Sequence, residues 1–439
     1  MEEKVVYLYL SITEEIYLGK LYIQNNRGKE VYSIELSDDY LKSKYSKYKI
    51  DPEISNYMGR QFQSSDKPIF GFLSDSCPDR WGRILMKRNE AEIAKLENRK
   101  PKQLTEADCL LGVYDESRMG ALRFKLDKDG DYLTSSNEET VPPWIYLRTL
   151  EDYALQIDNE EAVDDKWIKN LLIPGSSLGG ARPKANVYAP NGDLWIAKFP
   201  SKKDSYDVGA WEAVAYELAK MCGLNVPDFK IEKLSKYGTT FLSKRFDRKD
   251  GKRIHFISFM TALDAKDDES DNYSYIDLAS YIKSNSSNPS KDLKELWKRL
   301  VFNMAISNTD DHLRNHGLLI DDNGISLSPI YDINPIPYGD RLSLNISIDD
   351  NKIDVDNLLK TYKYYNLSKE EALKYYNEIV RIVNSNYKSL AVKYKIQNSA
   401  IEMMKPAFSL NEIEWKLDFS FKFGSSPLLN FRTMSTIIK

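Results

Sequence analysis

Apolar and polar positions alternate at the start of the chain. Residues 5–11, 15–23 and 31–36 are rich in Val, Ile, Tyr and Leu with partial period-two spacing. Asn25-Asn26-Arg27-Gly28 supplies a turn between the second and third runs. This pattern predicts a β-meander over residues 1–36. Ser76 and Pro78 suit the start of a helix whose body is 84–96. Residues 120–124 read as another strand, and 147–158 as a helix after the Pro142-Pro143 break.

The chain changes character near residue 170. Gly175-Ser176-Ser177-Leu178-Gly179-Gly180 is a loop of small residues. Two strand-like runs follow, 184–188 and 194–199, joined by Asn191-Gly192, a strong hairpin signal. A helix over about 207–222 ends at Gly223, which suits the residue after a helix end. Residues 239–243 form a strand running into Lys244-Arg245-Phe246-Asp247. Apolar residues at helical spacing (Leu293, Leu296, Trp297, Leu300, Val301, Met304) predict a helix over 291–307. A second hairpin, 317–320 with 325–330, turns at Asp322-Asn323-Gly324. Ser368 and Glu371 form a capping box that opens a helix reaching about 385.

Composition narrows the function classes. With 439 residues, 42% hydrophobic and 29% charged, the chain is long enough for two or three structural units with a substantial core. The balance of 62 basic against 66 acidic residues gives −4, a poor charge for gripping nucleic acid unaided. Three scattered cysteines and three histidines offer neither a disulfide framework nor a common zinc site. The chain shows no run of the roughly 20 apolar residues a membrane span needs. The expectation is a cytoplasmic protein with no membrane partner.

The chemistry lies in three constellations. Four residues separate Asp310 from Asn315 in the D-x-x-x-x-N arrangement, and Asp332 follows after a hairpin. That order suits a proton-accepting Asp310, with Asn315 and Asp332 holding Mg²⁺ against ATP phosphates. Lys198, in Trp195-Ile196-Ala197-Lys198-Phe199, sits on a strand like the one that presents a phosphate-binding lysine. Alternation places it on the face of Ile196, and Glu212 and Glu217 on the next helix both offer a partner. The 175–180 loop precedes the Lys198 hairpin, where backbone N–H groups could approach phosphates. His312 and His316 beside Asp310 and Asp311 also permit a hydrolytic metal site, or a loop braced by His312.

These residues resemble the HipA family of bacterial serine/threonine kinases, the toxins of HipA–HipB toxin–antitoxin systems. Phe72-Leu73-Ser74-Asp75 through Pro78-Asp79-Arg80-Trp81-Gly82-Arg83 is similar to the family's N-terminal signature. Gly180-Ala181-Arg182-Pro183-Lys184 resembles its G-A-Q-x-K strand, with Arg182 in place of Gln and Gly179 where Ala is commoner. Asn225-Val226-Pro227, Arg245-Phe246-Asp247-Arg248, Asn308-Thr309-Asp310-Asp311-His312-x-x-Asn315 and Pro329-x-Tyr331-Asp332 complete the match.

The resemblance implies an α+β, two-lobed, protein-kinase-like fold with an N-terminal β-rich subdomain and a mainly helical C-terminal lobe. It divides the chain into 1–140, a nucleotide-binding part at 141–250, and a C-lobe at 251–439. ATP and Mg²⁺ would lie between the lobes. Lys198 and the Gly179–Gly180 loop would meet the phosphates, Lys244 and Phe246 the adenine hinge, and Asn315 and Asp332 the metal. Asp310 would be the catalytic base and Ser177 an autophosphorylated, regulatory serine. Implied partners are a HipB-like helix-turn-helix antitoxin and a protein substrate, which in the family includes aminoacyl-tRNA synthetases. DNA would be met only through the antitoxin complex. A small-molecule kinase and a nucleotide-binding scaffold of a repressor complex are the competing readings.

Overall fold

The computed structural model describes residues 3–64, 66–135, 141–159, 171, 180, 182–267 and 269–413. Its N-terminal part is a five-stranded antiparallel sheet of order β4-β3-β2-β1-β5. The strands are β1 (Glu3–Ser11), β2 (Glu15–Asn26), β3 (Lys29–Leu36), β4 (Arg60–Phe62) and β5 (Leu122–Lys125). The expected meander is there, with β2 and β3 reaching their turn at Asn26 and Lys29. Val6, Leu8 and Leu10 alternate inward along β1. The strand read at 120–124 starts two residues later, because Gly120 turns the chain at φ +74° and donates its N–H to Asp247.

A four-stranded antiparallel sheet follows, of order β6-β7-β9-β8. Its strands are β6 (Lys184–Tyr188), β7 (Leu194–Lys198), β8 (Phe229–Glu232) and β9 (Thr240–Lys244). Ala185, Val187, Trp195, Ala197 and Leu242 face one side. There they meet Trp81 and Leu85 of the helix Arg80–Leu96, and Leu147, Leu150 and Ala154 of the helix Leu147–Asp158. The first of these helices starts at Arg80, with Asp79 as its cap, two residues after the expected start at Pro78. The other face receives the helix Val208–Met221, where Tyr216 packs on Phe229 and Phe241. Gly209 lets this helix sit tight, since a Cβ there would lie 2.0 Å from the Thr239 carbonyl oxygen.

The short ladder of β10 (Arg248–Lys249) with β11 (Lys252–Arg253) leads to a three-stranded sheet, β12 (His255–Ser258), β13 (Gly317–Asp321) and β14 (Gly324–Leu327). Around it lie the helices Tyr275–Asn285, Pro289–Ala305 and Lys369–Lys393. The stripe from Leu293 to Met304 is fully inside. The Ser368–Glu371 capping box forms, and its helix runs to Lys393, eight residues past the expected end. Buried residues from Val6 in the N-terminal sheet to Phe408 belong to one continuous core. No described helix is long and apolar enough to cross a membrane.

His255 on β12 is 2% exposed, and neither ring nitrogen bonds a described residue. Burial pulls its pKa from the ordinary 6.5 to about 4. The unfolded chain therefore takes up the proton first, so neutral His255 contributes stability above pH 6.5 that fades as pH falls to about 4. We expect unfolding free energy to drop across that window by about 3 kcal/mol, and His255→Gln to flatten that part of the urea-denaturation profile. An identical profile in the variant would rule His255 out as the source.

Candidate functional site

The Asn191-Gly192 turn, with Gly192 at φ +83°, closes the β6–β7 hairpin. Alternation then sends Ile196 and Lys198 into the cleft and Trp195 and Ala197 into the opposite core. Lys198 Nζ lies 2.5 Å from Glu212 Oε1 and 2.7 Å from Asp332 Oδ1. Glu212 is therefore the helix partner. Glu217 lies five residues on, about 140° round the helix, and pairs with Lys393 at 2.6 Å. Burial alone would lower the Lys198 pKa, but the charges of Asp332 and Glu212 raise it above its usual value.

Asp332 arrives from the other side. The chain leaves β14, and Tyr331 fixes the approach by donating its hydroxyl to the Arg314 carbonyl at 2.6 Å. Asp332 itself adopts φ +55°, in the left-handed region. Burial would raise its carboxyl, but Lys198 and Lys184 bring it down to about 2. It is an anion at any physiological pH.

The Asp310 turn grows from the end of the helix Pro289–Ala305. Ser307 turns left-handed at φ +51° and donates its hydroxyl to the Gly339 carbonyl at 2.6 Å. The two adjacent aspartates then divide. Asp310 is exposed, while Asp311 is buried, 2.6 Å from His316 Nε2 and bonded to the Tyr275 hydroxyl. Enough protein surrounds Asp310 to raise its carboxyl; His312 opposes that rise, while Asp332 and Asp311 add to it.

Asn315 donates to the Asp310 carbonyl oxygen at 2.6 Å, which ties the two ends of the turn. Its own Oδ1 is buried without a hydrogen-bond partner among the described residues. A buried amide oxygen without a donor, together with the anionic Asp332, is the donor chemistry a hard divalent cation takes. The loop is braced by His316, not by His312, because Asp311 selects the histidine five residues on. That bond also occupies two of the four groups a hydrolytic metal site would need. Among the described residues, the cluster Asp51, Glu53 and Asp264 lies elsewhere, around the Lys67 ammonium.

The inner end of the cleft is apolar, lined by Met119, Ile196, Phe246 and Tyr331. The Phe246 and Tyr331 rings are 5.5 Å apart. Lys244 turns its ammonium away to Asp193 at 2.6 Å and contributes a cleft wall. Ser177 and Gly179, and the loop they define, lie outside the described residues. Gly180 is described, at φ +83°. Arg182 pairs with Asp204 through two bonds of 2.7 and 3.0 Å, so the departure from Gln is spent on anchoring.

Sequence reasoning missed two parts of this site. One is the buried pair of Lys184 Nζ and Asp79 Oδ2, at 2.7 Å. Its signal was the Pro-Asp helix start at 78–79. The other is Met119, which enters from the segment before β5 and carries no motif.

Residues 176–387 match the family model described as the HipA-like C-terminal domain. Among curated proteins, the candidate kinase Y4dM of Sinorhizobium fredii is 30% identical over 203 residues, 42% of this chain and 45% of that protein. The candidate kinase Y4mE of the same organism is 29% identical over 182 residues, 36% of this chain and 41% of that protein. The chain thus spans less than half the length of both relatives. Among solved structures, HipA of Shewanella oneidensis MR-1, in complex with HipB and operator DNA, superposes with a TM-score of 0.65. That match covers 92% of this chain and 95% of the HipA chain at 17% identity, and shows the fold. The resemblance drawn from the motifs and the α+β, kinase-like fold it implied are both borne out.

The two aspartates of the turn have separable roles. Asp311→Ala strands the Tyr275 hydroxyl and His316 in the interior and should cost about 1–3 kcal/mol. Asp310→Ala removes an exposed carboxylate and should stay within about 0.5 kcal/mol of wild type. Equilibrium urea unfolding measures both, and equal losses would contradict the division.

Proposed function

We propose that this chain is an ATP- and Mg²⁺-dependent serine/threonine protein kinase, the toxin of a HipA–HipB type toxin–antitoxin system. The observation that carries the reading is the convergence on Lys198. A strand lysine, a helix glutamate and an aspartate that follows a hairpin meet at 2.5 and 2.7 Å. Phosphoryl transfer needs that set, because its catalysis is mainly positioning and charge neutralisation.

Lys198 binds the phosphates and Glu212 orients it. Asn315 Oδ1 and Asp332 would hold Mg²⁺, which when bound neutralises charge on the phosphates. Asp310, exposed at the mouth of the turn, accepts the proton of the substrate hydroxyl. Its raised carboxyl suits a group that must take a proton. Met119, Ile196, Phe246 and Tyr331 make the base slot, with Lys244 and Phe246 contributing through their backbone at the hinge.

In this reading residues 1–140 are the N-terminal subdomain, 141–250 the nucleotide-binding part and 251–439 the C-lobe. The partners are a HipB-like helix-turn-helix antitoxin and a protein substrate in the cytoplasm. The HipA it superposes on was solved with such a partner and with DNA. A net charge of −4 leaves DNA contact to the antitoxin. Ser177 is the proposed autophosphorylation site, where a phosphate of about −1.5 to −2 charge would repel nucleotide phosphates.

Transfer from labelled ATP tests the roles. Asp310→Asn should lower the rate by about 10²–10⁴-fold while nucleotide still binds. Asp332→Asn should abolish transfer and remove the Mg²⁺ dependence of nucleotide binding. Glu212→Gln should reduce transfer, and Glu217→Gln should not. Near-normal transfer by Asp310→Asn or Asp332→Asn would refute the kinase assignment.

A further inference from the structure

The hairpin Arg248-Lys249-Asp250-Gly251-Lys252-Arg253 pairs cations with cations. Its register sets Arg248 opposite Arg253 and Lys249 opposite Lys252. Like charges directly opposite in an antiparallel ladder are destabilising. The tight turn, left-handed at Asp250 and Gly251, needs neither pair. The two arginines also lie largely inside the protein, with side-chain exposures of 15% for Arg248 and 12% for Arg253.

Both arginines line a cavity of about 260 Å³. It opens where the tips of two hairpins, at Gly192 and Gly251, meet the segment 115–123. Among the described residues it shares only Lys244 and Arg245 with the apolar cleft lined by Phe246 and Tyr331. Four guanidiniums on its wall are served by two buried carboxylates. Arg123 and Arg253 share Asp115, at 2.6 and 2.9 Å. Arg245 and Arg248 share Asp247, at 2.5 and 2.6 Å. Glu15 reaches Arg123 only at 3.9 Å.

The other bonds of Arg245, Arg248 and Arg253 go to neutral groups, among them the carbonyls of Ser117, Glu116 and Asp115. Those carbonyls fix the guanidiniums in place and cancel no charge. Arg253 Nη1 has no hydrogen-bond partner among the described residues. At the rim, Lys244 pairs with Asp193 at 2.6 Å, and Glu116 accepts the Tyr188 hydroxyl at 3.3 Å. Lys249 and Asp250, both exposed, make no ion pair among the described residues. The crowding shows in the arginines themselves. Arg248 is brought down to about 9, by burial first, with Arg253 and Arg245 adding to the fall and Asp247 opposing it. Arg253 is lowered too, by burial, with Arg123 and Arg245 adding to it against Asp115 and Asp247.

A cavity with excess positive charge on guanidiniums already held in place suits a phosphate group. Their planar forks match its oxygens, and its charge of about −1.5 to −2 offsets the excess. We propose that this cavity binds a small phosphate-bearing anion, held by Arg248 and Arg253 with Arg123 and Lys249 at the rim. The site is independent of the proposed nucleotide cleft, whose cation is Lys198. Free phosphate and a phosphomonoester offer the same group, and titration separates them.

The experiment is calorimetric titration of the full chain with inorganic phosphate and, separately, with ribose 5-phosphate. Ionic strength is held at about 0.15 M, where charges beyond about 8 Å are screened. One anion should bind per chain. Tighter binding of ribose 5-phosphate would support an organic phosphate as the ligand, and equal or tighter binding of inorganic phosphate would support the free ion. Arg253→Gln should weaken binding by about tenfold, the scale of one lost charged hydrogen bond. Asp115 keeps Arg123 in that variant, so no buried carboxylate is stranded. Lys249→Glu alters an exposed residue and should weaken binding by a similar factor, which keeps the test open if Arg253→Gln folds poorly. Lys249→Arg should bind as wild type does. Failure of both anions to bind at about 10 mM would overturn the proposal. So would an affinity within about twofold of wild type in either weakened variant that folds, because the anion would then sit elsewhere.

Discussion

An ammonium group inside a protein is tolerable only with anions beside it, and that constraint organises the middle of this molecule. Lys198 stands on the inner face of a sheet, at 11% exposure, between two carboxylates. One comes from a helix and the other from a segment 134 residues further along. Removing a partner from such a site leaves an uncompensated charge, which costs several kcal/mol. The lysine thus specifies the relative placement of the β6–β7 hairpin, the helix Val208–Met221 and the chain after β14. Those are the three elements that the proposed nucleotide site brings together.

A second polar network fixes the N-terminal region to the rest. The backbone between Asp115 and Gly120 is irregular and largely buried, so its carbonyls have no ladder to join. Arginines from beyond β9 supply the missing donors. Arg245 bonds the carbonyls of Ser117 and Arg118, Arg248 those of Glu116, Arg118 and Gly120, and Arg253 that of Asp115. Asp247, fully buried, balances Arg245 and Arg248 at 2.5 and 2.6 Å and takes the Gly120 N–H. The Arg-Phe-Asp-Arg run at 245–248 is thereby explained as mortar around Phe246, which lines the cleft. Asp75 does similar work, accepting the N–H and hydroxyl of Ser258 at the end of β12.

Much of this was legible in the sequence, and the legible part has a common cause. Period-two strands, the Asn-Gly hairpin, the Ser368 box and Gly223 are local features, decided within a few residues. The spacing of Asp310 and Asn315 is local too, and the turn joins them by one hydrogen bond. What could not be read depends on distant partners. Glu212 and Glu217 are equivalent on paper and are separated only by which face of the helix meets the sheet. His312 and His316 are likewise equivalent until the Tyr275 hydroxyl, itself held by Asn303, fixes Asp311 beside His316. The sequence places the helix start at Ser76 and Pro78, and the structure moves it to Arg80, because the Asp79 side chain, not Ser76, caps the first turn and Trp81 anchors it.

The placement of strain fits the same division. Ser307 and Asp332 both adopt left-handed backbone, a conformation that costs a non-glycine residue about 1–2 kcal/mol. Neither lies where a glycine would be expected for lack of space. Asp332 needs its carboxylate for Lys198, and Ser307 needs its hydroxyl for the Gly339 carbonyl. In each case the side chain that makes the conformation costly also forms the bond that holds it. Such positions survive only when the surroundings over-determine them. The two flank the Asp310 turn, one at its entry and one across the cleft. The rigid parts of the site are therefore the backbone bends, held by buried bonds. Asp310, the group proposed to meet substrate, is left exposed on a fixed support.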